Sequence, residues 1–516
     1  MIKTQSHFNK VIAGGIIIIL LVLFVSVIKN KNGDCNYLNS DATWHTLLTV
    51  TAYDQTSWKI HKFLPIVTLG SEDDKFIKWG LTAPDDKGNF YYTSFSPATF
   101  VIPYLFFKIF NMPIAESSLC ILNSILFAVS AFLWYVFLIK IFGKQSAVIP
   151  LIGSIIYICT PEILHGMGIV YWAQSVFQVA FLIQLLAFYC YKFENSKKSR
   201  VLFYVFCVLN PYIEWTGFVA NMGFAVAEYL TIIKIDKKNA LIECAKVVLF
   251  TFVSFLLFCL HYLLVCDVES FFSIVYRRFF ARNAASRFGE FPFLIRGYIT
   301  SFAWLWGALL LLVILNLKKF KKCVINNKLV LLVLLVPVFE NVLMLQHAES
   351  YTYDRMKVVF PLSFIICSLL SNLLNVYENR KRTTFVYAII FVFCAANVFY
   401  YMHNQRYIWN IDYRVKNERF AQYILDNYPN SILALEKGFG VRGYINMLFK
   451  RGVYERETLE DIEKIAKMKN KKYAIYVSGI NHPWNMYELT GAWITDLSTD
   501  EKYFLRANNE RVQSGK

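Results

Sequence analysis

Between about Ile16 and Tyr401 the chain repeats one pattern about eleven times: a long apolar run, then a short polar loop. Few folds accept that pattern. A soluble protein with 56% hydrophobic and 17% charged residues would expose far too much apolar surface at this length, so the pattern reads as a multi-span membrane protein. The runs predict spans at 11–28, 116–139, 147–160, 171–191, 200–217, 218–233, 244–265, 298–316, 328–345, 356–374 and 384–402. Several are short for a hydrocarbon core about 30 Å thick. Asn210, Pro211 and Glu214 interrupt the pair near 200–233.

Lysine and arginine placement sets the orientation. Lys3 and Lys10 precede the first run, and Lys140 and Lys144 follow the second. The clusters Lys192–Arg200, Lys234–Lys238, Lys318–Lys322 and Arg380–Arg382 then recur after every second run. With an odd number of spans, all of these lie in the cytoplasm. The loop 29–115 and the tail 403–516 lie outside. The first run lacks a small-residue cleavage site before Lys29, so it reads as a retained anchor rather than a signal peptide. The net charge of +17 follows from cytoplasmic loops beside an anionic leaflet, so no nucleic-acid partner is expected. Eleven cysteines are scattered singly, with no disulfide framework and no metal-ligand spacing.

The first outer loop is amphipathic. From Asp41 to Tyr53, Trp44, Leu47, Leu48 and Ala52 recur at helical spacing, with Ser40 or Asp41 as N-cap. Residues 95–110 are apolar but broken by proline, which predicts a helix lying at the membrane surface. In the tail, 415–427 and Thr458–Lys467 read as helices, with Asp461 three residues after the Thr458 cap. Ser431–Leu435 and Lys472–Val477 read as strands. The expected fold class is an all-α polytopic membrane domain over 1–402, which includes the outer loop. A small extracytoplasmic α/β domain follows over 403–516.

Several residues could carry chemistry. Asp41, just outside the first span, is placed to act as a general base on an acceptor, although spacing by itself favours a helix cap there. Glu340 lies inside a span, where an ionisable group faces a cavity or a partner. His347 and Arg355 follow it and could hold a phosphate, which suits the arginine fork; Tyr351 and Tyr353 beside them fit an aromatic belt. The outer stretch 266–297 holds Arg277, Arg278, Arg282, Arg287 and Arg296 on the side expected to be poor in positive charge. They could form an electropositive mouth for an anionic donor or bind lipid head groups. Glu162, His165, Gln174 and Glu214 are further cavity-lining candidates, as is Tyr353. Glu72-Asp73-Asp74 could hold a divalent cation, although a solvated loop explains it as well, and no cofactor is expected.

An inward N-terminus, a single span and a long first outer loop beginning with an acid come first. The segment Tyr91-Tyr-Thr-Ser-Phe-Ser-Pro-Ala-Thr-Phe and a Leu119–Phe142 span with a basic end follow. This layout resembles polytopic glycosyltransferases of the GT-C superfamily, in the branch with protein O-mannosyltransferases and the lipid A aminoarabinose transferase. The stretch Phe95-Ser-Pro97 stands where the aminoarabinose branch has a lysine before its prolines. The resemblance implies an inverting hexosyl or pentosyl transferase with Asp41 as base and a polyprenyl-phosphate-linked sugar, such as undecaprenyl phosphate carries, as donor. Arg277, Arg278, Arg282, Arg287, His347 and Arg355 would hold the donor phosphate. The acceptor would be an envelope glycan or glycolipid, O-antigen or lipopolysaccharide among them. The site would be the outer face of a bacterial inner membrane, among membrane lipids. The rival class is a polysaccharide flippase, polymerase or transporter, which would show two pseudo-symmetric halves.

Overall fold

The computed structural model describes residues 2–30, 36–37, 40–283, 287–317, 327–376, 380–404, 408–409, 413–439, 442–455, 457–482, 486–508 and 511–513. In chain order the helices begin with α1 (Ile2–Asn30), α2 (Ser40–Gln55), α3 (Trp58–His61), α4 (Ala98–Ile109), α5 (Glu116–Phe142) and α6 (Val148–Ile158). They continue with α7 (Pro161–Gly166), α8 (Ala173–Glu194), α9 (Lys197–Ile213), α10 (Thr216–Ile232), α11 (Lys237–Leu263) and α12 (Val268–Arg282). Later helices are given by their residues. The chain divides into two compact units: 1–32, 119–260 and 277–404 form one, and 33–118, 261–276 and 405–516 form the other.

The first unit is helical. Among the described residues, six helices are long and apolar enough to cross a membrane: Val11–Lys29, Glu116–Phe142, Ala173–Glu194, Lys237–Leu263, Thr352–Leu373 and Val386–His403. Phe288–Ser301 and Ala303–Leu315, bent by 73°, add a seventh if they form one span. This is a multi-pass membrane protein, but the expected count of eleven is not reproduced. The span placed at 147–160 is a helix of 11 residues, and those at 200–217 and 218–233 are helices of 17 residues each. The span at 328–345 is broken into Lys328–Leu335, a 3-10 turn at Val336–Phe339 and Glu340–Leu343. Proline explains the break, because Pro337 lacks the amide that would continue the ladder. Eleven residues rise only ~16 Å, about half the hydrocarbon core.

Small and polar residues hold these helices together. A Cβ on Gly14 would run into the ring of Tyr135, whose hydroxyl donates to the Val11 carbonyl at 3.2 Å. α5 can therefore approach α1 closely. Ser363 donates to the Gly153 carbonyl at 2.9 Å and Trp134 Nε1 to Ser363 Oγ at 3.4 Å, tying α5, α6 and Val359–Val376. Buried amides join α8 to α11: Gln184 donates to Asn221 at 2.7 Å, and Asn221 to Thr251 at 2.9 Å.

The second unit gathers three stretches far apart in sequence. The first outer loop was expected to belong with the spans of 1–402, but it packs with the C-terminal residues instead. The reason lies in specific contacts. Trp44 of α2 meets Tyr444 of the helix Arg442–Phe449, ring centroids 5.1 Å apart. A Cβ on Gly443 would lie 2.9 Å from the His45 amide nitrogen, so only glycine lets the two backbones come this close. Strand β1 (Asn36–Tyr37) pairs with β4 (Ile408–Trp409). Asp74 Oδ1 accepts the Gly452 amide at 2.6 Å, Asp73 meets Lys471 at 2.5 Å, and Glu116 meets Arg414 at 3.0 Å.

Within this unit β2 (Thr82–Pro84) and β3 (Phe90–Tyr92) form a hairpin. A six-stranded sheet runs in the order β10-β9-β8-β7-β5-β6. β5 (Ser431–Leu435) lies parallel to β6 (Tyr454–Glu455) and β7 (Tyr473–His482), with helices in the connections. This is the crossover arrangement that parallel strands require. β8 (Met486–Asp496), β9 (Glu501–Arg506) and β10 (Arg511–Gln513) extend it antiparallel. The tail is thus α/β, as its sequence indicates. Thr458 and Asp461 form a reciprocal capping box on Leu459–Met468.

Candidate functional site

Asp41 occupies the first turn of α2, with Ser40 already inside the helix. It is half-buried, and its Oδ1 is buried with no hydrogen-bond partner among the described residues. Burial pushes its carboxyl up to about 6, against the pull of the Ala42 and Asp41 amides. A free acceptor oxygen with a pKa near neutrality is what a general base needs. One turn on, the buried ring of His45 sits among Trp79, Tyr92 and Phe100, with centroids 4.6, 4.2 and 5.5 Å away. Two of these partners belong to the 91–100 stretch singled out in the sequence or its margin: Tyr92 and Phe100.

In the first unit, the candidates scattered through the sequence come together. Glu162, in the short helix α7, accepts from Arg355 Nε at 2.9 Å, and both side chains are 0% exposed. Arg355 Nη1 also donates to the carbonyls of Ala348 and Glu349, at 2.7 and 2.9 Å. Its guanidinium is thus directed at the protein itself. Glu340 forms an ion pair with Lys357, which also donates to the Thr216 hydroxyl at 3.2 Å. Glu214 accepts the Thr216 amide at 2.6 Å and faces Gln174 Nε2 at 3.5 Å. Gln174 in turn donates to Asp354, whose Oδ2 lies 3.2 Å from His347 Nδ1. One polar chain therefore links Glu340, Lys357, Thr216, Glu214, Gln174, Asp354 and His347. It draws on several helices of the first unit.

His347 is titratable at the end of this chain. Burial lowers its pKa first, the positive charge of Arg282 adds to that, and Asp354 opposes both. Arg282 therefore stands near His347. The arginine-bearing stretch is a pair of helices rather than a loop. Arg277, Arg278 and Arg282 lie on α12, and Arg296 lies on Phe291–Ser301. Arg277 is exposed, Arg278 half-buried, and Arg287 is engaged by Glu290 at 3.0 Å. Tyr353 is buried, and a Cβ on Gly166 would lie 3.2 Å from its Cβ; it packs on α7 rather than at a membrane surface. His165, also in α7, is fully buried.

Glu72, Asp73 and Asp74 are taken by Lys75, Lys471 and the Gly452 amide respectively. Among the described residues no three histidine, cysteine or acidic side chains are grouped to hold a metal ion. Sequence reasoning passed over Lys357, Asp354 and Thr216. Lys357 carried a signal: a lysine well inside an apolar run demands a buried counter-charge, and Glu340 was already in view. His45 carried one too, one turn from Asp41 on the same helix.

No family model matches the sequence, and no curated protein matches it either. Solved structures match in fold. The oligosaccharyltransferase of Archaeoglobus fulgidus in its apo form superposes with a TM-score of 0.57 at 12% identity, over 90% of this chain and 69% of that one. AglB of the same archaeon, in complex with an inhibitory peptide and a dolichol-phosphate, gives 0.54 at 12% identity, over 99% and 76%. ArnT from Cupriavidus metallidurans, bound to undecaprenyl phosphate, gives 0.53 at 9% identity, over 90% and 92%. At such identities the likeness is one of fold alone, and it is shared with the three membrane proteins just named.

Proposed function

We propose that this protein is a membrane glycosyltransferase that moves a sugar from a polyprenyl-phosphate carrier to an envelope glycan on the outer face of a bacterial inner membrane. The observation that carries this reading is Asp41, a half-buried carboxylate with a pKa near 6 and an unpartnered oxygen at the start of an outer helix. The shared architecture with proteins bound to dolichol-phosphate and undecaprenyl phosphate supports the choice of donor.

In this reading Asp41 takes the proton of an acceptor hydroxyl. The freed oxygen attacks the anomeric carbon, and the bond from that carbon to the phosphate oxygen breaks. The polyprenyl phosphate leaves with the electron pair, and the anomeric configuration inverts. The leaving phosphate is already an acidic anion, so cations suffice to stabilise it. Arg282 is the cation we assign to it, with His347 as a neutral hydrogen-bonding partner, because burial lowers its pKa. Arg355 is assigned a supporting part through Glu162.

Orientation follows from the charge clusters: N-terminus in the cytoplasm, second unit outside. Reporter fusions after Asn195 should report cytoplasm and those after Gly88 the outside. The activity test uses purified protein, a labelled polyprenyl-phosphate sugar and an envelope polysaccharide acceptor. Transfer of label by wild type and its loss in Asp41→Asn are expected. Transfer by a well-folded Asp41→Asn at the wild-type rate would end this assignment.

A further inference from the structure

The span expected at 298–316 is not straight. Phe288–Ser301 and Ala303–Leu315 meet at 73°. Ala303–Leu315 carries no charged side chain, and its Leu310 and Ile314 are exposed, as befits a helix among lipid tails. With that helix along the membrane normal, its neighbour lies close to the membrane plane. Trp304 and Trp306, also exposed, stand at the corner. Tryptophans gather where hydrocarbon meets water, so the corner sits at that boundary. Trp306 also holds it, because its Nε1 donates to the Tyr298 carbonyl at 3.2 Å.

The helix Phe291–Ser301 has two unlike faces. Leu294, Gly297 and Ser301 are buried, and Leu294 packs with Leu345 and Ala348. A Cβ on Gly297 would lie 3.3 Å from Arg355 Nη1, so the helix rests on the guanidinium that holds Glu162. Asn341 donates to the Tyr298 hydroxyl at 2.6 Å. The opposite face is open and apolar: Ile295 and Ile299 are 40 and 59% exposed, and Phe288 just before the helix is 73% exposed. Arg296 stands exposed in this face, one turn from Ile299. Among the described residues no acidic side chain pairs with it. Between 277 and 298 the chain carries five arginines and one acid, Glu290, which Arg287 engages.

We propose that Phe291–Ser301 is an interfacial helix and that Arg296 holds the phosphate of an acidic phospholipid from the surrounding leaflet, with Ile295 and Ile299 at the acyl boundary. Three separate observations meet here: a corner marked by tryptophans, a helix turned out of the span direction, and a lone arginine in an apolar face. An apolar face alone would accept any lipid. A guanidinium with no acid beside it favours an anionic headgroup, whose phosphate oxygens match its fork. The inner face rests on Arg355 and Asn341, so a lipid held outside braces the buried ion pairs beneath. The lipid meant is not the sugar donor, and nothing in the proposal depends on Asp41.

The test uses full-length protein in nanodiscs of mixed phosphatidylcholine and phosphatidylglycerol. The probes are photoactivatable analogues of the two lipids, each with the reactive group in the acyl chain near the glycerol, and labelled peptides are mapped by mass spectrometry. Both should label peptides covering 288–302, the phosphatidylglycerol analogue about fivefold more, as expected for one arginine at a membrane surface. Arg296→Gln should bring the two to parity there, and Arg296→Lys should keep most of the preference. Lys464→Gln, an equal loss of charge at an exposed lysine of the second unit, should change nothing. No label in 288–302 from either lipid would overturn the interfacial helix. Equal labelling in wild type, or a preference that survives in a well-folded Arg296→Gln, would overturn the headgroup site. Loss of the label to undecaprenyl phosphate at a small fraction of the phosphatidylglycerol present would overturn it too, by making the site the donor's.

Discussion

Lys357 forms an ion pair with Glu340 and also donates to Thr216 Oγ1 at 3.2 Å, so one buried ammonium ties three separate helices together. Both side chains are buried. Breaking it by Lys357→Met leaves a carboxylate uncompensated, which typically costs about 3–5 kcal/mol. The expected result is a sharp fall in Tm of the purified protein. Replacing both partners, Lys357→Met with Glu340→Met, should recover most of that loss, because two apolar groups of similar length need no compensation.

Arginine variants should separate structure from donor binding. Arg355 is fully buried against Glu162 and two carbonyls. Arg355→Gln should lower Tm strongly, on the scale of about 3–5 kcal/mol expected for a broken buried pair. Arg282, whose charge reaches His347, should behave otherwise. Arg282→Gln should raise donor KM with little change in Tm, and Arg282→Lys should raise it less, since charge survives and the fork does not. Steady-state kinetics and a thermal melt on the same preparations decide between the roles.

The pH dependence follows from Asp41. Its carboxyl is raised to about 6 by burial, so the base proposed above is protonated below that value and ionised above it. kcat/KM should climb through a limb near pH 6 and level off above it. Asp41→Asn should lower turnover by ~10²–10⁴ and abolish that limb, leaving donor binding intact. A pH–rate profile read alongside a donor-binding curve checks both parts.

Gly443 offers a test of the packing that holds α2. An added Cβ would stand 2.9 Å from the His45 nitrogen and 3.1 Å from its Cα, both backbone atoms that cannot swing away. Gly443→Val should therefore force the helices apart, costing about 1–3 kcal/mol. Limited proteolysis should find the 40–55 helix more readily cut, and turnover should fall with it.

Much of this architecture was readable from residue pattern. The long uninterrupted runs at 116–139 and 244–265 became long helices because nothing in them breaks the ladder. The tail strand Ser431–Leu435 and the Thr458 cap were legible because each is a local signal. The failures have physical causes. A run such as 328–345 is apolar enough for a span, yet Pro337 turns its middle into a 3-10 segment that composition does not report. β8 to β10 went unread because antiparallel ribbons carry a weak period and depend on partners elsewhere in the chain. Asp41, Glu162, Glu214, Glu340 and His347 were legible as costly charges in or beside apolar surroundings. Their pairings were not, because Arg355 meets Glu162, and Gln174 meets Asp354, across long stretches of intervening chain. The hold of the C-terminal residues on α2 rests on Gly443, whose lack of a side chain leaves no trace in hydropathy.

The β1–β4 pairing has a consequence for how the molecule is born. Membrane helices can enter the bilayer as they leave the ribosome, but the second unit is assembled from 33–118, 261–276 and 405–516. Asn36 and Tyr37 find Trp409 and Ile408 only after nearly the whole chain has been made. At ~5–20 residues per second, the first outer segment waits on the order of tens of seconds for its partner. During that interval Trp44 and its helix have no Tyr444 to rest on. A chain that stalls early thus leaves the helix that carries Asp41 without the C-terminal residues on which it packs.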